Sequence, residues 1–376
     1  WTWARIVRGL ESHAATMAAM RWDIFCRVID NFGDVGVCWR LSAELARRGE
    51  AVRLWLDDPQ ALAWMAPGAL EGRVNGIEVL HWTAPLPEGL PARLPLADVW
   101  IEAFGCEPPT ECIEDLATRL GQGARPPVWI NLEYLSAEPY VERSHRLPSP
   151  VMSGPLRGLT KWFFYPGFTE RTGGLLWEDD LLARQAAFDA SAWLAGRNLP
   201  ASDAAWKVCL FCYEPAALGD VLRQASEAAT HSEWLITPGR AWRAAQASPT
   251  GQLHALPLLT QVDFDHLLWA CDLNFVRGED SLVRGLWAGQ PLVWHIYPQH
   301  DDAHHAKLEA FLDWLQAPAT LRVFHRAWNG IGSAAPVWPD AATLDDWRGC
   351  VQSARQRLLT QTDLVTQLGD FVQGKR

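Results

Sequence analysis

Two loops in this chain carry residue types that can do chemistry. The first is Asp30-Asn31-Phe32-Gly33-Asp34-Val35-Gly36, with two carboxylates four residues apart. Paired acids of this kind suit a cationic or hydroxyl-bearing acceptor, which they can hold and deprotonate. A dinucleotide loop would read G-x-G-x-x-G. Here Gly33 and Gly36 flank Asp34, and two carboxylates would repel a pyrophosphate. The plainer role for Asp34 is to cap the helix that follows. The second loop is Arg277-Gly278-Glu279-Asp280-Ser281. It offers a cation, a glycine that permits close backbone approach, and a serine that can cap or donate. At a helix N-terminus such a turn binds phosphate. Glu279 and Asp280 are odd companions for a phosphate unless they meet sugar hydroxyls, and the plainer reading is a capped helix with a surface salt bridge. Upstream, Gln261 and Phe264 offer an amide and a ring for a base, although Phe264 serves equally well as core.

Other candidates are weaker. His300 and His304 bracket Asp301 and Asp302, a spacing that suits a metal but also an acidic first helical turn. Cys209 and Cys212 form a C-x-x-C, yet on a strand the two thiols point to opposite faces and no second pair exists. Neither a G-x-S-x-G elbow nor a Walker A sequence is present.

The elements that must position these loops alternate short apolar runs with helical periodicity, the pattern of a parallel α/β sheet. Strands are predicted at 23–29, 51–56, 77–82, 98–103, 128–132 and 161–165. Helices are predicted at 37–48 and about 109–120. Residues 169–174 read as a hinge. A second series follows. Its strands are 207–212, 234–236, 253–256, 273–276 and 292–296, and its helices are 181–194, from 216, 262–270, 281–288 and 304–315. A mostly helical tail runs over 344–372. Residues 1–20 read as an upstream extension outside the fold, interrupted by Glu11. The expected organisation is therefore an amino-terminal Rossmann-like domain over 21–170, a carboxyl-terminal one over 175–345, and a tail over 346–376 that packs back on the first domain. Ligands in such sheets bind outside the carboxyl ends of the strands. Two units facing a central cleft have the outline of the GT-B glycosyltransferases, by analogy of fold.

Composition narrows the classes. The chain has 376 residues, 49% hydrophobic and 20% charged, which excludes disordered, coiled-coil and collagen-like chains. Lys and Arg number 33 against 44 Asp and Glu, a net charge of −11. That argues against phosphate-backbone binding and so against a nucleic-acid partner, and it favours a basic one. No apolar run reaches the length of a membrane span, so no membrane association is expected. Eight cysteines without a signal peptide imply free thiols in a reducing cytoplasm. The 22 tryptophans read mostly as core, with Trp39 and Trp294 placed to buttress the cleft.

Four stretches taken together resemble one family. They are Ile29-Asp30-Asn31-Phe32-Gly33-Asp34-Val35-Gly36-Val37-Cys38-Trp39-Arg40, Tyr165-Pro166-Gly167-Phe168, Phe211-Cys212-Tyr213-Glu214 and Arg277-Gly278-Glu279-Asp280-Ser281. The combination is similar to the bacterial elongation factor P arginine rhamnosyltransferases, EarP, from about Met20 to the carboxyl end. The resemblance implies an inverting GT-B enzyme with the acceptor on the amino-terminal domain and the donor on the carboxyl-terminal one. It would move L-rhamnose from dTDP-β-L-rhamnose to an arginine of elongation factor P, without cofactor or metal. It also makes Asp30, Asp34 and Glu279 the essential acids. Arg277, Asp280 and Ser281 would hold the diphosphate, and Gln261, Phe264, Tyr213 and Tyr297 would lie on the thymidine side. A guanidinium, with a pKa above ~12 and no free lone pair, is a poor nucleophile and must be oriented and deprotonated during attack. Asp34 is the expected general base, Asp30 the residue that orients the guanidinium, and Glu279 an aid in positioning guanidinium or sugar. The competing readings are another GT-B sugar-nucleotide enzyme (a small-molecule glycosyltransferase or an epimerase) and a non-catalytic binder of a basic protein.

Overall fold

The computed structural model describes residues 19–28, 32–201, 204–248, 250–298 and 303–376. Asp30 of the first loop and His300, Asp301 and Asp302 of the histidine motif lie outside the described residues, as do residues 1–18 of the expected extension 1–20; Met20, at its end, is buried in the first core rather than outside the fold. Two sheets organise the rest. The first contains β1 (Arg21–Cys26), β2 (Ala51–Leu56), β3 (Ile77–His81), β4 (Val99–Ala103), β5 (Val128–Leu132), β6 (Pro148–Pro150) and β7 (Thr160–Phe164), in the order β3-β2-β1-β4-β5-β7-β6. All its pairings are parallel except β6 with β7. The second contains β8 (Trp206–Leu210), β9 (Ser232–Ile236), β10 (Gln252–Ala255), β11 (Leu273–Arg277) and β12 (Leu292–His295), parallel throughout, in the order β10-β9-β8-β11-β12.

Both orders reverse at their first strand, so the switch points lie between β1 and β4 and between β8 and β11. β1, β2 and β4 are buried along nearly their whole length because helices cover both faces. That is why these strands read as continuous apolar runs rather than alternating ones.

The tryptophans fill these layers. Phe25, Trp55, Trp82, Trp100 and Trp129 form one aromatic cluster on the first sheet, with Trp100 and Trp129 edge-to-face at 5.6 Å. Among the described residues no tryptophan is an exposed large hydrophobic, whereas Tyr134, Tyr140 and Tyr297 are. All eight thiols are free. No helix among the described residues is long and apolar enough to cross a membrane.

Further expectations change. The single helix predicted over 181–194 is two, Leu181–Ala186 and Ala190–Ala195. Asp189 starts the second by accepting from Ala192 N–H at 2.9 Å, and an aspartate cap competes with helix continuation. β6 was not expected. Two of its three residues are prolines, tolerated because an edge strand does not need every N–H. The predicted hinge is a closed turn. Gly167 N–H donates to Gly174 O at 3.2 Å, and a Cβ on Gly173 would lie 2.5 Å from Phe164 Cε1. Beyond it the chain crosses between the units twice. The tail expected over 346–376 to pack back on the first domain does so only at its end: the helix Ala341–Leu359 packs in the second core, and only the helix Leu364–Gln373 packs in the first, through Leu364, Leu368 and Phe371.

One buried histidine fixes a pH response. His325 is fully buried, takes the Trp294 N–H at 3.0 Å on Nε2 and lies 3.0 Å from Leu321 O through Nδ1. Burial pulls its pKa down to about 4. The unfolded chain therefore binds a proton that the folded one refuses between about pH 6.5 and 4, and stability falls as pH drops through that window. We expect His325→Gln, weaker than wild type at pH 7, to lose about 2 kcal/mol less than wild type between pH 7 and pH 5 in denaturant titrations. Parallel losses in the two proteins would contradict this.

Candidate active site between the two switch points

The loop after β1 and the turn after β11 both leave their sheets beside a switch point, where open α/β sheets take ligands. The helix Gly33–Arg47 opens directly from the first loop. Its N-cap position is Phe32, not Asp34. Asp34 is buried in the first turn, where a carboxylate also meets the positive end of the helix. Phe32, Gly33 and Gly36 line the cleft on this side.

Across the cleft, β11 ends in Arg277 and the helix Asp280–Ala288 begins three residues later. Gly278, at φ 65°, makes the left-handed step this tight turn requires. Ser281 braces it: its hydroxyl accepts from Arg277 N–H at 3.0 Å and donates to Arg277 O. Trp294 Nε1–H donates to Gly278 O at 2.8 Å, so this tryptophan supports the turn directly. The Arg277 guanidinium lies over Phe211 and Tyr213, 4.5 and 4.8 Å from the ring centroids, and donates to Cys212 O at 3.3 Å. Tyr213 is buried, edge-on to Tyr297 at 5.6 Å, and donates its N–H to His295 Nδ1 at 3.3 Å. Burial, together with the Arg277 and Arg240 charges, drives His295 down to about 3, which keeps it neutral and able to accept.

The two sides are joined by buried charge. Arg40, from the amino-terminal helix, reaches Asp265 at 3.0 Å, Asp280 at 3.0 Å and Glu178 at 3.6 Å, and donates to Gln261 O at 3.3 Å. Arg284 shares Asp265 and Glu178, at 2.7 and 3.0 Å. Burial would raise the Asp265 carboxyl, but Arg284 and Arg40 outweigh it and hold it below the ordinary range. For Asp280 burial prevails over Arg40 and Arg284, and its carboxyl is raised.

Two further contacts cross the cleft. Gln261 Nε2 donates to Gly36 O at 2.9 Å, and a Cβ on Gly36 would sit 3.4 Å from that nitrogen and 3.5 Å from Asp280 Oδ2. These are ordinary van der Waals distances, so the two walls touch at Gly36 without requiring a glycine there. Glu279 Oε2 accepts from Leu135 N–H at 2.7 Å, and its Oε1 meets Lys307 Nζ at 2.5 Å.

These contacts enclose a cleft of about 890 Å³, counting the space at its open mouth. Phe32, Gly33 and Gly36 face Phe211, Phe264 and the whole turn Arg277–Ser281 across it. Of the residues singled out from sequence, Arg277, Glu279, Asp280, Ser281, Gln261, Phe264 and Tyr213 line this cleft, and Asp34 lies between lining residues on its helix. Tyr297 is not among the lining residues; it is exposed and reaches the cleft only through its edge-on contact with Tyr213. Sequence reasoning missed the ionic cluster of Arg40, Glu178, Asp265 and Arg284. Arg40 sits on the apolar face of a predicted helix, and a basic residue there was the available signal. It also missed Lys307 and Phe211. Among the described residues no three or more histidines, cysteines or acids gather as a metal site.

The geometry has counterparts. The model of the family described as Elongation-Factor P (EF-P) rhamnosyltransferase EarP matches residues 22–373. A protein-arginine rhamnosyltransferase of Pseudomonas putida is 43% identical, over 93% of this chain and 98% of its own. Another from Neisseria meningitidis serogroup B is 36% identical over 77% of each chain. A solved structure giving the structural basis for EarP-mediated arginine glycosylation of translation elongation factor EF-P is similar at TM-score 0.63. It is 29% identical, over 95% of this chain and 100% of that one. Arabidopsis thaliana UGT89C1 complexed with UDP-L-rhamnose, 13% identical at TM-score 0.53 over 94% and 98%, shares the fold alone. Two Rossmann-like units around one cleft make this a GT-B fold.

The ionic cluster sets a measurable dependence. Arg40→Met leaves Asp265 with Arg284 and Glu178 with Arg284 and Arg184, and removes the arginine paired with Asp280. Removing one partner of a buried pair costs about 3–5 kcal/mol. We expect a loss of that size in guanidinium unfolding of the whole chain, and a loss below about 1 kcal/mol would show the cluster to be dispensable.

Proposed function

The chain belongs to the EarP family of elongation factor P rhamnosyltransferases, and on that premise we propose that it transfers L-rhamnose from dTDP-β-L-rhamnose to an arginine of elongation factor P, with inversion and without a metal. The observation that carries this reading is the polarity of the cleft. The helix that holds the buried acid Asp34 in its first turn lines one side through Gly33 and Gly36, and a cationic turn, Arg277 with the N-terminus of Asp280–Ala288, lines the other.

The acceptor guanidinium enters on the acidic wall. Asp34 takes an N–H proton as that nitrogen attacks the anomeric carbon, the N–C bond forms, and the bond from that carbon to dTDP breaks on the opposite face. A single displacement of this kind turns a β-linked donor into an α-linked product. Asp30 orients the guanidinium by the role its position in the first loop implies. Glu279, fixed by Lys307 and Leu135 N–H, borders acceptor and sugar alike.

On the donor wall, charge builds on the leaving diphosphate. Arg277 and the backbone N–H groups at the helix start are aimed at it before the reaction begins. Asp280 engages Arg40 and Ser281 engages the Arg277 backbone, so their part in holding the diphosphate is to shape the turn. Phe211 and Phe264, edge-to-face at 5.4 Å, give the thymidine an apolar wall, with Gln261 and Tyr213 also lining the cleft and Tyr297 packed edge-on against Tyr213.

Incubation with dTDP-β-L-rhamnose and elongation factor P should add one deoxyhexose to the factor, read by intact mass. No addition while dTDP still binds would end this reading. Asp34→Asn should cut kcat by about 10²–10⁴-fold with acceptor binding retained. Near-normal turnover would remove Asp34 from the role of base.

A further inference from the structure

A second, smaller cavity adjoins the cleft. Arg40, Glu279 and Asp280 border both, while Val37, Phe104 and Glu133 belong to the smaller one. Its outer wall is unusual in three respects. Phe104, at the end of β4, holds φ 59°, a left-handed backbone that costs a bulky residue of order 1–3 kcal/mol and persists where surrounding structure or function demands it. Its ring stacks on Tyr134 at 4.5 Å and 15°, which makes a flat aromatic platform at the carboxyl ends of β4 and β5. Beside it Glu133 is half-buried and accepts from Asn131 Nδ2 at 2.8 Å, yet among the described residues it forms no ion pair with any lysine, arginine or histidine. Burial raises its carboxyl, only partly offset by Asn131 and the Tyr134 N–H.

The same rim gathers the chain's scarcest aromatic. The chain has five tyrosines. Tyr134, Tyr140 and Tyr165 stand here, the last two edge-to-face at 5.9 Å. Tyr140 feels the charges of Glu138, Glu133 and Glu279. Neighbouring acids are engaged: Glu279 with Lys307, Glu142 with Arg171 at 3.0 Å, and Glu138 with Ser136 Oγ at 2.9 Å. Lys307 Nζ lies 5.9 Å from the Tyr134 ring, at the outer limit of a cation–π contact. A carboxylate without a cation beside a stacked aromatic pair fits a guanidinium or ammonium, which it can pair while the rings take the flat or charged face.

We propose that Phe104, Glu133 and Tyr134 form a subsite for a second basic side chain of the acceptor, one that flanks the arginine to be modified. The subsite cannot serve the reacting arginine itself, because Gly33, Gly36 and Arg277 border the other cavity. A residue close in sequence to that arginine reaches it across the shared border at Glu279 and Asp280. The proposal rests on the reading of a protein-arginine acceptor given above and extends it to acceptor selection.

Isothermal titration of unmodified elongation factor P into wild type and Glu133→Gln tests it. We expect the substitution to weaken binding about tenfold, the scale of one charge-assisted contact, with dTDP affinity unchanged. Acceptor affinity equal to wild type would overturn the subsite. If Glu133→Gln also lost dTDP, Tyr134→Ala, at an exposed position, would decide by the same criterion. A wild type that transfers rhamnose while both variants bind the acceptor normally ends this inference alone. A wild type that binds the acceptor more tightly than Glu133→Gln but transfers nothing ends the functional reading alone. No acceptor binding by wild type ends both.

Discussion

The site depends on one interaction, the insertion of Arg40 from the first domain among the carboxylates of the second. Desolvating a guanidinium and three carboxylates is expensive, and the attraction between them repays it only when geometry and hydrogen bonding are nearly complete. Here Arg40 bonds Asp265, Asp280 and the Gln261 carbonyl together, and Arg284 neutralises what remains. Such a cluster has few alternative arrangements of comparable energy. It therefore sets the separation of the two walls more sharply than apolar contact would. Gly36 and Gln261 show how close that separation is, since a Cβ at 36 would meet both Gln261 and Asp280.

The cluster also separates the charges. The −11 of the whole chain does not act as a uniform field at the cleft. Asp280, which borders the cleft, has its charge offset by Arg40, so Arg277 and the helix N-terminus dominate that wall. On the opposite side Asp34 is buried in the first turn of a helix. Glu279 lies between, held from one side by Lys307 and from the other by the Leu135 backbone. One cleft thus gathers a buried acid behind the first loop and a cationic turn on the facing domain.

Much of this was legible in the amino-acid order. Val128–Leu132 and Ala51–Leu56 read as strands to the residue, because parallel strands covered on both faces are continuous apolar runs. The two loops were legible because the acids and glycines within them break those runs. The Asp189 cap, the β6 edge and the packed turn at Gly167–Gly174 were not. Each is decided by a single hydrogen bond or by a neighbour distant in sequence, and neither leaves a periodic signal. Arg40 and Asp265 belong to the same class: 225 residues separate them, and only the fold brings them to 3.0 Å. Phe104 was equally silent, since a left-handed backbone at a phenylalanine is set by its surroundings and not by its own preference.

The central claim is that the ionic cluster holds an acidic acceptor wall against a cationic donor turn. A crystal structure of the chain with dTDP tests it most directly. The account predicts the diphosphate at the Arg277 side chain and the N-terminus of the Asp280–Ala288 helix, with Arg40 still bonded to Asp265 and Asp280. A diphosphate lodged against the loop that carries Asp34, or an Arg40 that leaves its carboxylates to hold the nucleotide, would contradict it.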